Sequence, residues 1–128
     1  ERKDKKKRQQ ELARFFSDCG EITRDQLLSV YGIGPETADS ILLYGFGEPS
    51  FVVDTYTCRI ISRIGILKGS LKYHRVKEYF EFKLPRDPGL YGEFHALMVE
   101  HAKNFCRRVP LCEECPLKRI CLFRQKSS

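Results

Sequence analysis

The sequence predicts an all-α protein. Apolar residues recur at helical spacing in several segments, and no segment alternates apolar and polar residues as a half-buried strand would. Proline and glycine residues stand at the ends of these segments, where helices commonly begin and end. The 128 residues suffice for one or two small units, and no apolar run approaches membrane-spanning length.

Positive charge is concentrated at the two ends of the chain. The net charge is +6, and residues 1–8 carry six Lys and Arg against two acids. Residues 103–128 carry seven against two, whereas the middle has an excess of acids. Basic ends suit a polyanionic partner, although a charge run alone is often only a solvated face. Because the chain begins with Glu1 rather than Met, we expect a piece of a longer protein.

Helices are predicted on both sides of a glycine-rich turn. The first spans Gln9–Asp18 and is ended by Gly20. Thr23 followed by Gln26 resembles a capping box that opens the next helix. After the turn, another helix begins at Pro35, a residue suited to the first helical position.

The turn itself is Gly32-Ile33-Gly34, and Gly47 is the natural end of the helix that follows it. Glycines let the backbone bend tightly and approach a ligand closely. The amides of Gly32, Ile33 and Gly34, with those opening the helix, can all point at one anion. A phosphate diester fits such a site.

The apolar run 51–53 leads to Asp54, and Asp54 precedes a helix that Gly65 closes. The remaining predicted elements are a helix over 72–82, breaks at Pro85 and Pro88, and a longer helix from Leu90 to Phe105.

Residues 27–54 resemble the helix-hairpin-helix of the endonuclease III superfamily of DNA glycosylases. The matching residues are Gly32, Ile33, Gly34, Thr37, Ala38, Val53, Asp54, Thr55, Arg59 and Arg63. A lone G-I-G is common in turns, whereas the same turn followed by V-D-T and a helix is far more specific. The resemblance implies a base-excision repair enzyme that binds double-stranded damaged DNA and cleaves an N-glycosidic bond.

Asp54 has two interpretations. By its position it is an N-cap for the helix that starts at Thr55. The resemblance places the family's catalytic aspartate here, where an ionised carboxylate stabilises the positive charge that grows on the sugar. Both roles are compatible.

Glu36 stands where the bifunctional members of the family have a lysine. That lysine attacks the sugar carbon and forms a Schiff base, which a glutamate cannot do because it has no amine. Lys68 and Lys72 match no catalytic position. The chain therefore looks like a monofunctional, hydrolytic glycosylase without AP lyase activity.

The segment from Gly32 to Asp39 is most similar to the branch that removes alkylated purines such as 3-methyladenine. An aromatic pocket suits a flat cationic base. Tyr31, Tyr44 and Tyr56 are candidates for its walls, although each also reads as an ordinary aromatic on a helix face.

Four cysteines, Cys106, Cys112, Cys115 and Cys121, have the spacing C-x5-C-x2-C-x5-C. Metal binding is the better prediction than disulfides, and four thiolates suit zinc or an iron–sulfur cluster. One close pair between equidistant single cysteines favours [4Fe–4S]. The family resemblance also implies this cluster, although its usual first gap is six residues rather than five. His101 matches the family and reads as a structural histidine, and Cys19 and Cys58 read as small core residues.

The predicted organisation has four parts. Residues 1–22 form a basic helical remnant of the family's helical barrel domain, 23–54 the helix-hairpin-helix with Asp54, 55–105 a helical domain, and 106–128 the iron–sulfur loop with a basic tail. Only 31 residues precede Gly32, so we expect the missing N-terminal half in another segment or chain.

Three rival functions remain open. The chain could be a DNA-binding module with a structural metal site and no catalysis. It could be a bifunctional glycosylase that uses another lysine. It could also be a small zinc or iron–sulfur protein whose hairpin binds a protein partner. The expected location is the reducing cytoplasm, in association with the nucleoid, without a membrane partner.

Overall fold

The computed structural model describes residues 5–7, 9–10 and 22–127, with side chains as far as residue 125. Every regular element in these residues is helical, so the predicted all-α class is confirmed. Of the predicted helix Gln9–Asp18, residues 9–10 are described and helical, whereas the rest, with Cys19 and Gly20, lies outside the described residues. No helix in the described ranges has the length and apolarity required to cross a membrane.

Six α-helices follow residue 22: α1 Arg24–Leu28, α2 Pro35–Ser40, α3 Thr55–Ile64, α4 Tyr73–Lys83, α5 Pro88–Asn104 and α6 Leu122–Ser127. α2 continues into a π-helical turn, Ile41–Gly45, which the sequence did not predict. A short 3₁₀ turn, Cys112–Glu114, lies within the cysteine-rich segment.

Local signals set the ends of the hairpin helices and of α3. Thr23 caps α1 through a complete capping box, in which its hydroxyl accepts from the Gln26 amide and Gln26 Oε1 accepts from the Thr23 amide. Pro35 occupies the start of α2 as predicted. Gly65 ends α3 with φ of 88°, the left-handed conformation that glycine adopts most easily.

Two expectations near the C-terminus need correction. Pro88 does not merely break the preceding helix: it opens α5, and the Asp87 carboxylate caps the amides of Gly89 and Leu90. The predicted basic tail contains the helix α6. Leu122 of this helix packs so closely on Gly65 that a side chain at residue 65 would collide with it.

The main hydrophobic core forms around an extended segment rather than between helices alone. Phe51, Val52 and Val53 are almost completely buried. The Phe51 ring stacks on Phe80 at a centroid distance of 4.4 Å, and Tyr91 meets it edge-on at 5.6 Å. This segment connects the hairpin to α3, so its packing fixes where α3 begins.

Side chains of α4 pair the buried backbone amides of that segment. The Phe51 amide donates to Glu81 Oε2 at 2.8 Å, and the Val53 amide donates to the Tyr73 hydroxyl at 3.4 Å. Buried amides without such acceptors would cost about 1–3 kcal/mol each. α4 therefore substitutes for the strand partner that an extended, buried segment would otherwise need.

A buried carboxylate, Asp39, joins the hairpin to α4. Arg24 donates to it through Nε at 2.8 Å and Nη2 at 3.2 Å. Ser50 donates at 2.6 Å and the Tyr73 hydroxyl at 2.7 Å. Lys77 Nζ lies 3.5 Å from the same carboxylate.

The partners of Asp39 reverse the effect of its burial. Burial alone would raise the pKa of the Asp39 carboxyl, but hydrogen bonds from Arg24, Ser50 and Tyr73, with the Lys77 charge, hold that pKa below its ordinary value of 3.8. Burial and the adjacent carboxylate raise the pKa of Tyr73 far above its ordinary value, so its hydroxyl keeps the proton that it donates to Asp39.

Replacing Asp39→Asn should lower the free energy of unfolding by about 3 kcal/mol at neutral pH, because Arg24 and Lys77 lose their shared anion. The folded pKa lies below the unfolded value, so this stabilisation is complete above about pH 3.8 and is lost as the pH falls through the folded pKa. Urea unfolding at a series of pH values measures both effects.

The matched control is Glu78→Gln, which removes an exposed acid from α4 and should change stability by less than about 0.5 kcal/mol. An Asp39→Asn penalty that stays constant down to the acid limit would contradict the ion-pair explanation.

Candidate active-site pocket and cysteine cavity

Asp54 is the N-cap of α3, as its position predicts. Its Oδ1 accepts from the Thr57 amide at 2.8 Å and from the Thr57 hydroxyl at 3.0 Å. Its Oδ2 is turned the other way and lies 3.8 Å from Nε2 of His95 on α5. One carboxylate oxygen therefore anchors the residue, while the other faces a pocket.

That pocket has a volume of about 390 Å³ and lies between the N-terminal residues, α2, the start of α3 and α5. Its charged and aromatic lining residues are Lys5, Lys6, Glu36, Tyr44, Asp54, Tyr56 and His95. The structure thus brings together Asp54 and Glu36, the two residues that the family resemblance singled out for chemistry.

Two lysines from the basic N-terminal run reach the same pocket. Lys5 Nζ lies 3.9 Å from Glu36 Oε2, and Lys6 Nζ lies 5.0 Å from the centre of the Tyr44 ring. The pocket therefore contains cations beside its carboxylates. No sequence pattern indicated these contacts, because residues 1–8 show only a run of charged residues.

Two of the three candidate tyrosines line the pocket, and one does not. Tyr44 and Tyr56 contribute to its wall, and Arg59 lies 5.5 Å from the centre of the Tyr56 ring. Tyr31 instead stands in the hairpin turn and is fully exposed. Its interpretation as a residue on a helix face or a pocket wall is therefore wrong.

The hairpin glycines have different conformations. Gly32 has φ of +86°, whereas Gly34 is extended, with φ of −92° and ψ of −178°, and caps α2 without a side-chain hydrogen bond. The Ile33 amide donates to Val30 O at 3.1 Å. The prediction that all three amides face one anion is therefore wrong for Ile33.

The amides of Gly32 and Gly34 have no acceptor among the described residues, and both glycines are exposed. A Cβ at Gly34 would meet nothing within 4 Å. Neither glycine lines the Asp54 pocket. The hairpin and the pocket are thus two separate surfaces of the same unit.

The four predicted ligands, Cys106, Cys112, Cys115 and Cys121, are half-buried free thiols that line one cavity. Burial raises the pKa of the Cys115 thiol, although a hydrogen bond from the Leu117 amide acts in the opposite direction. No three His, Cys, Asp or Glu side chains of the described residues converge closely enough to hold a single metal ion. The four thiols nevertheless share one cavity.

Arginines on α3 hold the cysteine-rich segment in place. Arg59 donates to Cys106 O at 3.1 Å. Arg63 donates to Cys106 Sγ at 3.4 Å and to the backbone oxygens of Arg107 and Arg108 at 2.6 and 3.0 Å. Both arginines belong to the family pattern, but the sequence did not indicate what they bind.

His101 lies at the C-terminal end of α5, with Nε2 3.6 Å from Cys115 Sγ. Burial lowers its pKa below the ordinary value, which favours the neutral imidazole. Its predicted role as a structural histidine at a helix end agrees with this position.

Comparisons with known proteins identify the fold family. The helix-hairpin-helix motif matches residues 21–44. A Methanocaldococcus jannaschii protein that bears the name of a candidate DNA repair glycosylase is 54% identical over 103 residues, which cover 80% of this chain and 47% of that protein. Endonuclease III of Sulfolobus acidocaldarius is 36% identical over 83% of this chain and 47% of its own length.

A non-covalent endonuclease III–DNA complex superposes with a TM-score of 0.76 and 26% identity, covering 88% of this chain and 53% of that one. The chain belongs to the endonuclease III superfamily.

This member of the endonuclease III superfamily spans about half the length of the curated relatives that it matches. A thymine/uracil-DNA glycosylase of Pyrobaculum aerophilum is 35% identical over 94% of this chain, and again only 55% of that relative is covered. The superfamily prediction is confirmed, and the coverage agrees with a match to the C-terminal part.

Sequence reasoning missed His95, Lys5 and Lys6 in the pocket of this endonuclease III relative. His95 lies 41 residues after Asp54, and only the packing of α5 beside the start of α3 brings the two together. No local pattern distinguishes it from His74, which is exposed. Lys68 and Lys72 are also exposed and lie outside the pocket, as expected.

Proposed function

We propose that this chain is the C-terminal part of a monofunctional DNA glycosylase that hydrolyses the N-glycosidic bond of a damaged, alkylated base. The observation that carries the proposal is the orientation of Asp54, whose Oδ2 faces a pocket that Glu36 also lines. The resemblance and the endonuclease III relatives support base excision as the reaction class.

The chemistry requires an ionised carboxylate at a fixed point. As the glycosidic bond breaks, positive charge grows on the sugar, and a nearby carboxylate stabilises it without reorganising. Thr57 fixes Asp54 through Oδ1, so Oδ2 can face the sugar at little entropic cost. Asp54 can therefore cap α3 through Oδ1 and stabilise the transition state through Oδ2, so its two interpretations are compatible.

Glu36 supports the hydrolytic reaction and the base class. It presents a carboxylate where a Schiff-base enzyme needs an amine. An alkylated purine such as 3-methyladenine is already cationic, so Asp54, Glu36 and the faces of Tyr44 and Tyr56 suit it electrostatically. Such a base also leaves without an acid to protonate it.

Lys5 favours a second candidate, a bifunctional glycosylase and AP lyase that uses a lysine outside the family position. Its Nζ reaches the same pocket, 3.9 Å from Glu36. The Lys5 side chain is 60% exposed, and its ion pair is with Glu36. We therefore prefer an electrostatic role for Lys5.

The four cysteines fit a [4Fe–4S] cluster as donors, because each thiolate of such a cluster binds a different iron and the thiols must surround it. Here all four line one cavity, and their spacing, one close pair between two single cysteines at equal distance, favours a cluster over zinc. We propose Cys106, Cys112, Cys115 and Cys121 as its ligands. Bound there, it would crosslink a segment that has little hydrophobic core of its own.

We further propose double-stranded damaged DNA as the partner, and the missing N-terminal half as the segment that completes the pocket. The boundaries 22/23, 54/55 and 105/106 remain our proposal for the domain organisation. Free half-buried thiols favour a reducing compartment, so we propose a cytoplasmic protein associated with the nucleoid.

The hairpin should bind backbone phosphate through the amides of Gly32 and Gly34. Gly34→Val suits the extended backbone, so it should fold within about 0.5 kcal/mol of the parent and yet weaken duplex binding by obstructing the phosphate. Gly32→Ala should weaken binding and also cost about 1–2 kcal/mol, because its φ is positive. Urea unfolding and binding to two unrelated duplexes at fixed salt measure these effects. A loss confined to one duplex sequence would contradict phosphate binding.

The purified protein should be brown and contain about four iron and four acid-labile sulfide per chain. Cys112→Ser should reduce both contents, whereas Cys58→Ser, the matched change at a cysteine outside the cavity, should retain them. Metal analysis and the visible absorption spectrum decide this. Stoichiometric zinc without sulfide would show that the zinc alternative is correct.

In the whole enzyme, Asp54→Asn should remove most release of alkylated base while leaving duplex affinity nearly unchanged, because the amide keeps the shape but not the charge. Glu36→Gln should have a milder effect. Single-turnover base release and a binding titration measure both.

Borohydride added during turnover should trap no enzyme–DNA adduct. An adduct that disappears in Lys5→Ala would establish the bifunctional alternative, and full activity of Asp54→Asn would refute the assignment of Asp54.

A further inference from the structure

A contact with the Val52 backbone holds the His95 ring in one orientation. Its Nδ1 lies 3.4 Å from the Val52 carbonyl oxygen, which can only accept a hydrogen bond. Nδ1 therefore carries the hydrogen, and in the neutral ring Nε2 presents a lone pair. The carbonyl belongs to the buried extended segment before Asp54, so the ring is oriented by the same segment that positions the carboxylate.

The lone pair of His95 Nε2 faces another acceptor. Asp54 Oδ2 lies 3.8 Å away, too far for a direct hydrogen bond, and Oδ1 is already engaged by Thr57. Two acceptors at this separation suit one small molecule that donates two hydrogens, which is a water molecule. The His95 and Asp54 side chains are 19% and 13% exposed, so the pair is sheltered but open to the pocket.

We propose that His95 is the proton acceptor for the water that attacks the sugar, which leaves Asp54 ionised throughout the reaction. This inference rests on the proposed hydrolytic function. Water donates one hydrogen to Oδ2 and the other to Nε2, so its oxygen lone pairs are directed away from both groups and toward the substrate.

The step balances for a cationic alkylated base. The bond from the sugar carbon to the base nitrogen breaks, and its electron pair leaves with the base, which becomes neutral. The water oxygen forms the new bond to that carbon, and one water proton passes to Nε2. The imidazolium then returns this proton to solvent. Asp54 meanwhile stabilises the positive charge on the sugar.

Several charged groups share the pocket with His95. Asp54 faces Nε2 from the start of α3, Glu36 lines the pocket from α2, and Lys5 and Lys6 reach it from the N-terminal residues. The Tyr44 ring lies edge-on to the imidazole at 6.3 Å. When Nε2 is protonated, it pairs with Asp54 and can no longer accept a proton from the attacking water. The rate of base release should therefore fall on acidification.

The test is single-turnover release of an alkylated purine by the whole enzyme across a pH series. His95→Gln keeps a hydrogen-bond acceptor but cannot take a proton, and His95→Phe keeps only a ring. Both should slow base release on the order of 100-fold with little change in duplex affinity, and the fall on acidification should be weaker. His74→Phe, at an exposed histidine, is the matched control and should behave as wild type.

The outcomes separate this inference from the proposed function. A wild-type enzyme that releases no base, or an Asp54→Asn variant with full activity, would refute the proposed function itself. If Asp54→Asn is inactive while a folded His95→Gln releases base within about twofold of wild type at every pH, the role of His95 is refuted and hydrolysis at Asp54 stands. Thermal melting of each variant establishes that it is folded.

Discussion

The Asp39 carboxylate accepts hydrogen bonds from three parts of the chain that are distant in sequence. Arg24 approaches from α1, Ser50 from the segment before Asp54, and Tyr73 from α4. The charge of Lys77 adds a fourth contact from α4. Because a buried network of this kind is stable only when every member is paired, the hairpin cannot move relative to α4 without exposing or orphaning a charge. The described side chains indeed leave no buried polar atom unpaired.

The network matters for chemistry because it fixes the segment that ends at Asp54. Phe51 and Val53 are buried in an extended conformation, and α4 supplies acceptors for their amides through Glu81 and Tyr73. α3 then begins at a fixed point, with the Asp54 pocket at its start. Two arginines farther along the same ten-residue helix hold the cysteine-rich segment. Residues of α3 therefore line both the pocket and the cysteine cavity, so a change at either site would also affect this helix.

Local chemistry made the helix boundaries predictable, whereas distant packing decided the rest. The Thr23 capping box, the Pro35 start and the Gly65 end each depend on residues a few positions apart. Asp39 and His95 gain their roles from partners on other elements, so a single sequence gives no signal for them. The resemblance to the superfamily indicated both Asp54 and Glu36, although nothing in their positions along the chain shows that they line the same pocket. It did not distinguish Gly32 from Gly34, because both glycines suit a turn and only the backbone shows which one requires positive φ.

Glu36 places a carboxylate where the bifunctional members of the family have an amine, and this difference changes the electrostatics of the whole pocket. An amine at this position would form an ion pair with Asp54 as an ammonium ion and would attack the sugar only in its deprotonated form. Glu36 instead adds a second negative charge to a pocket that contains Asp54. Two carboxylates favour a cationic base before bond cleavage and a cationic sugar during it, whereas they disfavour an anionic leaving group. Lys5 reduces the mutual repulsion of the two acids from the Glu36 side, 3.9 Å away, without standing between Asp54 and His95. On the proposed function, the pocket would select substrates by the charge of the base, and hydrolysis without a Schiff base and a preference for alkylated purines would have the same physical cause.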